Sequence, residues 1–397
     1  MIEIKDKTRC CGCEACKNIC PTNCISMIED KEGFLYPNVD LDSCINCNKC
    51  VEVCPILQVE PQKEKKQRAF LVQINNDKIC KESTSGGGFT AIAQKVIEHG
   101  GVVFGAAFDE NFDVYHTFVD TEEALFKFRN SKYVQSRMGN SFQKVKEILN
   151  ENRMVLFSGT PCQIEGLYHY LGGHKENLIL ADIVCCAVPS PLVWKKYKQF
   201  RQPDSDAELV EASFRNKDKY GYQYSQMKMG YSNGTTIYSG VESDPYLRAF
   251  FSDLIDRPSC YDCKFKKRYR VSDITMWDCF DVYRIDKEFD DNKGVTRILT
   301  HTKKGEEFIF NLDKCRRVEI GPDLAVKGVK ELVESVSMNS KREDFFNDCE
   351  GMNGNELFNN WFPDNIKTKT KRIIRISLQR FGIYSFSKRV ARKLQGR

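Results

Sequence analysis

Cys10-Cys11-Gly12-Cys13-Glu14-Ala15-Cys16-Lys17-Asn18-Ile19-Cys20-Pro21 is matched in spacing by Cys44-Ile45-Asn46-Cys47-Asn48-Lys49-Cys50-Val51-Glu52-Val53-Cys54-Pro55. Each run reads C-x-x-C-x-x-C-x-x-x-C-P, the bacterial-ferredoxin spacing for a 4Fe-4S cluster, in which the fourth cysteine serves the other cluster. The expected ligand sets are therefore Cys10, Cys13 and Cys16 with Cys54, and Cys44, Cys47 and Cys50 with Cys20. Three thiolates at this spacing let a tight loop wrap one cluster, with backbone N–H groups turned toward its sulfides. The proline then turns the chain away and is expected to begin a helix, where its missing N–H is no loss. Zinc and a disulfide framework are the alternatives. Zinc takes four ligands, usually as separated CxxC pairs, and has no need of a doubled three-plus-one pattern. The spacing marks a chain that moves electrons.

Nineteen cysteines are present, and the eleven outside the runs fall at 11, 24, 80, 162, 185, 186, 260, 263, 279, 315 and 349. That usage suits a metal-bearing protein of a reducing compartment rather than a secreted disulfide scaffold. Met1 to Lys7 place charges where a signal peptide needs an apolar stretch. Leu178 to Val188 is the nearest approach to a membrane span, and it is too short and contains Asp182. A cytoplasmic protein is expected. The formal net charge of +5 hides an asymmetry: Lys367 to Arg397 carries eleven Lys or Arg and no acid, so the rest of the chain is at −6.

With 397 residues the chain exceeds one typical domain. Residues 1–57 form a ferredoxin-like domain with an internal repeat of about 34 residues, and short strands flank the Asp30–Gly33 turn. Residues 58–68 are a charged, solvated linker. From 69 to 205 strands alternate with helices, which argues for an α/β body with a mixed sheet. Strands are expected at Ala69–Ile74, Gly101–Phe108, Val114–Val119, Met154–Phe157 and Leu178–Val184. Helices are expected at Phe89–His99, Gly139–Asn150, from Pro161 through Tyr170, and at Pro191–Gln199. Residues 206–340 form the second part of the body, with alternating stretches at Tyr224–Tyr231, Thr235–Ser239, Thr296–His301 and Glu307–Asn311 that suggest strands. The whole is α/β with an α+β portion, and residues 341–397 are a basic helical tail.

Two further features carry chemistry. Ser83-Thr84-Ser85-Gly86-Gly87-Gly88-Phe89-Thr90 precedes a helix, where glycines admit a close anion and the helix end favours negative charge. Downstream of two clusters, a flavin phosphate is the expected anion; an ordinary capped turn is the alternative. No G-x-G-x-x-G occurs, which disfavours a nicotinamide site. Second, Cys162 opens a helix, Cys185-Cys186 ends a buried strand, and Cys260-Tyr261-Asp262-Cys263 is a CxxC. In a parallel sheet, strand C-termini meet on one face, so these cysteines could assemble a third cluster or could simply be small buried hydrophobes.

These motifs occur in one order with Ser131-Lys132-Tyr133-Val134-Gln135-Ser136, Gly159-Thr160-Pro161-Cys162-Gln163, Val188-Pro189-Ser190-Pro191 and Arg270-Val271-Ser272-Asp273-Ile274. Together they resemble the coenzyme F-420-reducing hydrogenase/dehydrogenase beta-subunit family, in particular bacterial members with an N-terminal two-cluster ferredoxin, associated with polysaccharide biosynthesis. The resemblance implies a body holding FAD, with Ser85, Gly86, Gly87, Gly88 and Thr90 lining the flavin and Lys132, Tyr133 and Gln135 nearby. It implies a third 4Fe-4S cluster on Cys162, Cys185, Cys260 and Cys263. Two stretches depart from the family pattern: Cys185-Cys186-Ala187 replaces Cys-His-Gly, and Trp277-Asp278-Cys279-Phe280-Asp281 replaces Gly-Asp-aromatic-Trp-Gly.

The function expected is an iron–sulfur flavoprotein reductase. A ferredoxin-type or flavoprotein donor would feed the clusters and FAD would pass electrons to a small-molecule or sugar-linked substrate. The alternative is a relay subunit of a larger redox complex. No catalytic residue is assigned, and a homo-oligomer is compatible with the reading. In the tail, Ile366, Ile373, Ile374, Ile376, Leu378 and Phe381 are interleaved with basic residues. That pattern suits a helix lying peripherally on the inner, anionic membrane face, or one docked on the acidic body. Nucleic acid is not expected.

Overall fold

A computed structural model describes residues 1–204, 206–384, 386 and 387. In the N-terminal module, α1 (Ala15–Ile19) lies inside the first cysteine run and α2 (Lys49–Glu52) inside the second. The antiparallel hairpin of β1 (Ile25–Glu29) and β2 (Leu35–Val39) separates them. The repeat is visible in the backbone. Gly12 and Glu14 in the first run, like Asn46 and Asn48 in the second, take left-handed conformations, which asparagine tolerates and glycine adopts freely. The prolines do not begin helices. Pro21 sits in a turn, where the Asn23 N–H donates to the Cys20 carbonyl at 3.3 Å, and Leu57 and Gln58 close a similar turn onto the Cys54 carbonyl. Proline's fixed φ suits a turn corner equally well, and β1 starts too soon after Pro21 to leave room for a helix.

The body begins with β3 (Ala69–Ile74), α3 (Asp77–Glu82), α4 (Gly88–Glu98), β4 (Val102–Phe108), β5 (Val114–Val119) and α5 (Ser141–Asn150). It continues through β6 (Val155–Gly159), α6 (Pro161–Leu171), β7 (Leu178–Ile183) and α7 (Pro191–Arg201). Beyond residue 205 come β8 (Leu209–Asn216), β9 (Gln226–Tyr231), β10 (Thr236–Ser239), α8 (Pro245–Phe250) and β11 (Ile274–Asp278). Then follow β12 (Thr296–Thr300), α9 (Lys303–Phe310), β13 (Cys315–Ile320) and α10 (Pro322–Val326). One eight-stranded mixed sheet, ordered β13-β3-β12-β11-β7-β6-β4-β5, draws strands from both parts of the body, and β8, β9 and β10 form a separate antiparallel sheet. The centre of the large sheet, β4-β6-β7-β11, is parallel. Parallel strands buried on both faces read as unbroken apolar runs, as in Val155-Leu156-Phe157 and Leu178-Ile179-Leu180-Ala181, all of them buried.

Glu307–Asn311, expected as a strand, is instead part of α9. The Thr302 hydroxyl caps it by accepting from the Gly305 N–H, and Ile309 is its buried anchor. Capping overrides the apparent alternation of Phe308 and Phe310.

The module is embedded in the body. Phe34, at the hairpin turn, is fully buried in the same core as Trp194, Tyr197 and Tyr246. Glu32 makes a two-pronged ion pair with Arg342 at 2.9 and 2.6 Å. Arg342 opens α11 (Arg342–Gly351), which is followed by α12 (Gly354–Trp361) and α13 (Ile366–Arg380). The last helix docks by one edge, through Arg375 to Glu242 at 3.0 Å, and beyond it Tyr384 packs on Tyr224. Ile373 and Ile374 on it stay 63% and 52% exposed. Residues 388–397 of the basic tail, and Ser385, lie outside the described residues. Among the described residues no helix is long and apolar enough to cross a membrane.

Candidate functional site

The left-handed residues curl each cysteine run back on itself, so thiols far apart in sequence converge. Burial pushes the Cys16 thiol up, and the neighbouring Cys10, Cys54 and Cys50 thiols add to that. Burial also raises Cys54, with Cys10 and Cys50 close by. The fourth cysteine of the second run thus sits among the first three of the first run. Conversely, Cys20, Cys44, Cys47 and Cys50 line one small pocket, open at its mouth. Cys54 thus lies near Cys10 and Cys16, and Cys20 lies near Cys44, Cys47 and Cys50, with Cys50 near Cys16 and Cys54 as well. Cys24 was missed by sequence reasoning. Its sulfur lies 3.4 Å from that of Cys20, in the same pocket. Cys47 is exposed, and beside it Ile45 is 63% exposed.

The third set forms at the C-terminal edge of the parallel strands. Cys162 enters the first turn of α6, whose N-terminus is fixed by a capping box between Thr160 and Gln163. Cys185 follows the adjacent β7, and Lys266 holds that loop by donating to the Cys185 and Cys186 carbonyls at 2.5 and 3.1 Å. Cys260 ends a short 3-10 turn after Arg257, and the Cys263 N–H donates to Ser335 Oγ at 2.9 Å. Burial raises the Cys260 thiol far above its ordinary value, and the Cys185, Cys263 and Cys162 thiols add to the effect. The four thiols lie near enough to act on one another. Among the described residues no three His, Cys, Asp or Glu side chains are placed to hold a single metal ion. A four-iron cube is larger than one ion and spaces its thiolates more widely. The all-sulfur donor set, with Cys260 buried and the other three partly so, fits such clusters.

The first and third sets adjoin. Cys11 and Cys13 are buried in one core against which Cys162 packs, and the nearby Cys13 thiol pushes the Cys11 thiol well up. One turn beyond Cys162, Gly166 faces Cys13: a Cβ there would stand 3.1 Å from the Cys13 sulfur. Cys11 lay among the scattered cysteines, and nothing in its spacing marked it.

The glycine-rich loop answers first to packing. The Gly86 and Gly88 N–H groups both donate to Thr296 Oγ1, at 3.1 and 3.2 Å, and the Ser85 hydroxyl donates to the Val295 carbonyl at 2.5 Å. A Cβ on Gly86 would meet the Val72 carbonyl oxygen at 2.5 Å, so the loop lies flat against β3 and β12. Thr90 is buried one helical step beyond. Lys217, also missed from sequence, pins the loop by donating to the Ser85, Cys80 and Lys293 carbonyls. A phosphate cradle built from Gly86 and Gly88 does not fit, since their donors are taken.

Lys132 is different. Burial alone lowers it to about 7. Its ammonium donates to the Arg129 and Asn130 carbonyls, and no carboxylate pairs with it among the described residues. Its neighbour Ser131 bonds Thr84 of the loop. Tyr133 turns into an aromatic cluster with Phe250 and Phe214, and Gln135 reaches the Cys11 carbonyl at 3.3 Å. Gln135 therefore belongs to the cysteine junction, not to the loop. Residues 131–135 join the two, over about 14 Å at most for four extended residue steps.

Residues 152–323 match the family described as coenzyme F420 hydrogenase/dehydrogenase, at the C terminus of its beta subunit, and residues 9–57 match a 4Fe-4S dicluster domain. Among solved structures, a chain of the xenon-derivatised F420-reducing NiFe hydrogenase complex from Methanosarcina barkeri is similar at 15% identity. That match covers 69% of this chain and 91% of the other, with a TM-score of 0.44. No curated protein matches. The dicluster domain is matched over both cysteine runs, and residues 152–323, the stretch bearing Cys162, Cys185, Cys260 and Cys263, belong to the coenzyme F420 hydrogenase/dehydrogenase beta-subunit family.

Proposed function

We propose that this iron–sulfur protein is an electron relay with three 4Fe-4S centres. They are held by Cys44, Cys47, Cys50 and Cys20; by Cys10, Cys13, Cys16 and Cys54; and by Cys162, Cys185, Cys260 and Cys263. Clusters bound there supply one-electron transfer without making or breaking a covalent bond. The chain does the rest. Cysteine thiolates would fix the centres, the αL residues bend each run, and Cys13 packs on Gly166 between the first and third sets. The observation that carries the reading is the shared core of Cys11, Cys13 and Cys162, with Gly166 of the body packed on Cys13. It makes the module and the body one continuous site. The exposed edge at Ile45 and Cys47 is where a ferredoxin-type or flavoprotein donor would dock. The test is anaerobic purification followed by iron and sulfide assay. About twelve irons per chain are expected, as three four-iron clusters; about eight would remove the third centre.

A second reading, an oxidoreductase with FAD acting on a small-molecule or sugar-linked substrate, is favoured by one observation. Lys132 is a shielded cation without a carboxylate, and a bound anion would complement it. A flavin there would supply the change from single-electron to hydride chemistry. Lys132 and Thr84 would then contact its phosphates, in place of the occupied Gly86 and Gly88 donors. Lys132→Gln is the cleaner probe. Gly87→Val would strain a residue at φ 76° whose Cβ would lie 2.6 Å from Ile74, so it would destabilise the fold with or without flavin. Flavin released by heat from the parent and reduced severalfold in Lys132→Gln is the expected result of this reading. No flavin in the iron-loaded parent leaves the relay alone.

The tail supports peripheral attachment to an anionic membrane face. Each Lys or Arg near such a surface contributes about 1 kcal/mol, an effect that fades with salt. Ile373 and Ile374 lie on the undocked side. Replacing both by serine is expected to release the protein from anionic vesicles at low salt while leaving its melting temperature unchanged. Deleting Lys367–Arg397 would also remove the Arg375–Glu242 pair and lower stability. Parent protein that stays in the supernatant with such vesicles would refute attachment.

A further inference from the structure

We propose that Arg257 is the resident counter-cation of the centre at Cys10, Cys13, Cys16 and Cys54, and that its charge sets that centre's reduction potential. The inference rests on the iron–sulfur reading above. Arg257 is 0% exposed, one of the largest fully buried side chains of the protein. Its Nε donates to the Cys10 carbonyl at 2.7 Å and its Nη2 to the Leu35 carbonyl at 2.9 Å. Nη2 also lies 3.5 Å from the Cys10 sulfur, and Nη1 donates to Gln135 Oε1 at 2.8 Å. The guanidinium stacks 4.3 Å from the Tyr36 ring centre. Each guanidinium nitrogen is engaged, yet every acceptor is neutral or a thiol.

A buried charge without an opposite partner costs several kcal/mol. Among the described residues no carboxylate stands within ion-pair distance of Arg257. The adjacent Asp256 is buried too, but both its carboxyl oxygens lack any hydrogen-bond partner. The ionisable groups that act on Arg257 are the Cys10, Cys11 and Cys260 thiols and the Tyr36 phenol, and of these Cys10 and Cys260 would become thiolates as cluster ligands. Four thiolates around a 4Fe-4S core carry net negative charge, and that charge grows by one on reduction. A fixed cation beside a ligand sulfur favours the reduced form, and hydrogen bonds to cluster sulfurs act in the same sense. Arg257 thereby makes the first centre easier to reduce, and Gln135 orients the guanidinium.

Midpoint potentials from redox titrations of the intact, iron-loaded chain, followed by electron paramagnetic resonance, test this. Arg257→Lys keeps the charge and is expected to stay near the parent. Arg257→Gln removes the charge and is expected to lower the first centre's potential by at least 59 mV, a tenfold change in its reduced-to-oxidised ratio. Gln135→Glu serves where Arg257→Gln fails to fold. It is isosteric, sets a carboxylate on the guanidinium and is expected to lower the potential in the same direction. Loaded variants whose first centre titrates with the parent in both Arg257→Gln and Gln135→Glu overturn the role of Arg257. A parent with no cluster at the first centre overturns the iron–sulfur reading itself, and this inference with it.

Discussion

Replacing Cys162 by serine is expected to cut bound iron from about twelve to about eight per chain and to abolish the signal of one cluster, leaving the other two intact. A serine oxygen is a hard ligand where a four-iron cluster selects soft thiolates. The loss should be confined to the third centre, because Cys162 belongs to neither N-terminal set. Cys11→Ser is the matched control. Cys11 shares a core with Cys13 and Cys162, yet it is a ligand in none of the three proposed sets, so its replacement should leave iron near twelve. Equal iron in the parent and in Cys162→Ser would show that the body cysteines bind no cluster. Equal loss in both variants would instead make Cys11 a ligand. Cys13→Ser and Cys47→Ser, assayed in the same way, should each remove one N-terminal cluster.

Arg342→Met should destabilise the folded chain by about 3–5 kcal/mol, the usual cost of leaving one partner of a buried ion pair behind. Glu32 is 8% exposed and takes both prongs of the Arg342 guanidinium, and Arg342 also donates to the Asp256 carbonyl. Once stranded, the Glu32 carboxylate would be driven to solvent and carry the β1–β2 hairpin with it. Phe34, in the aromatic core, would follow. Denaturant unfolding should show the loss, and iron chelators should strip the first centre faster. The double replacement Glu32→Gln with Arg342→Met leaves no orphaned charge and should recover most of the stability. If the double variant is no better than Arg342→Met, the cost lies in lost packing on Phe346 rather than in the charge.

Both experiments probe the junction, and the junction was the least legible part of the chain. The two cysteine runs announced their chemistry through covalent spacing, which survives in one dimension. The parallel strands were legible for a similar reason, since burial on both faces writes itself as continuous Val, Ile, Leu and Phe. Even the convergence of Cys162 with Cys185 could be anticipated, because parallel strands present their C-terminal ends on one edge. Glu307–Asn311 misled because five residues of alternation cannot outvote a threonine cap at Thr302. The glycines of the loop misled for a related reason. Gly86, Gly87 and Gly88 are consistent with an anion cradle in sequence, but glycine is needed equally where backbone meets backbone, and Val72, Thr296 and Ile74 lie in contact with them.

What the sequence by itself determined is therefore the chemistry and the architecture: an iron–sulfur module, a mixed-sheet α/β body and a basic tail. Each rests on local spacing or on periodicity, which depend only on neighbours along the chain. Tertiary structure alone decided that Cys11 shares a core with Cys162 across 151 positions, that Gln135 belongs to the cysteines rather than to the loop, and that Arg257 lies among thiols with no carboxylate partner among the described residues. A lone arginine or cysteine has no spacing signature, because its meaning comes from what the fold places against it and from the water that the fold removes.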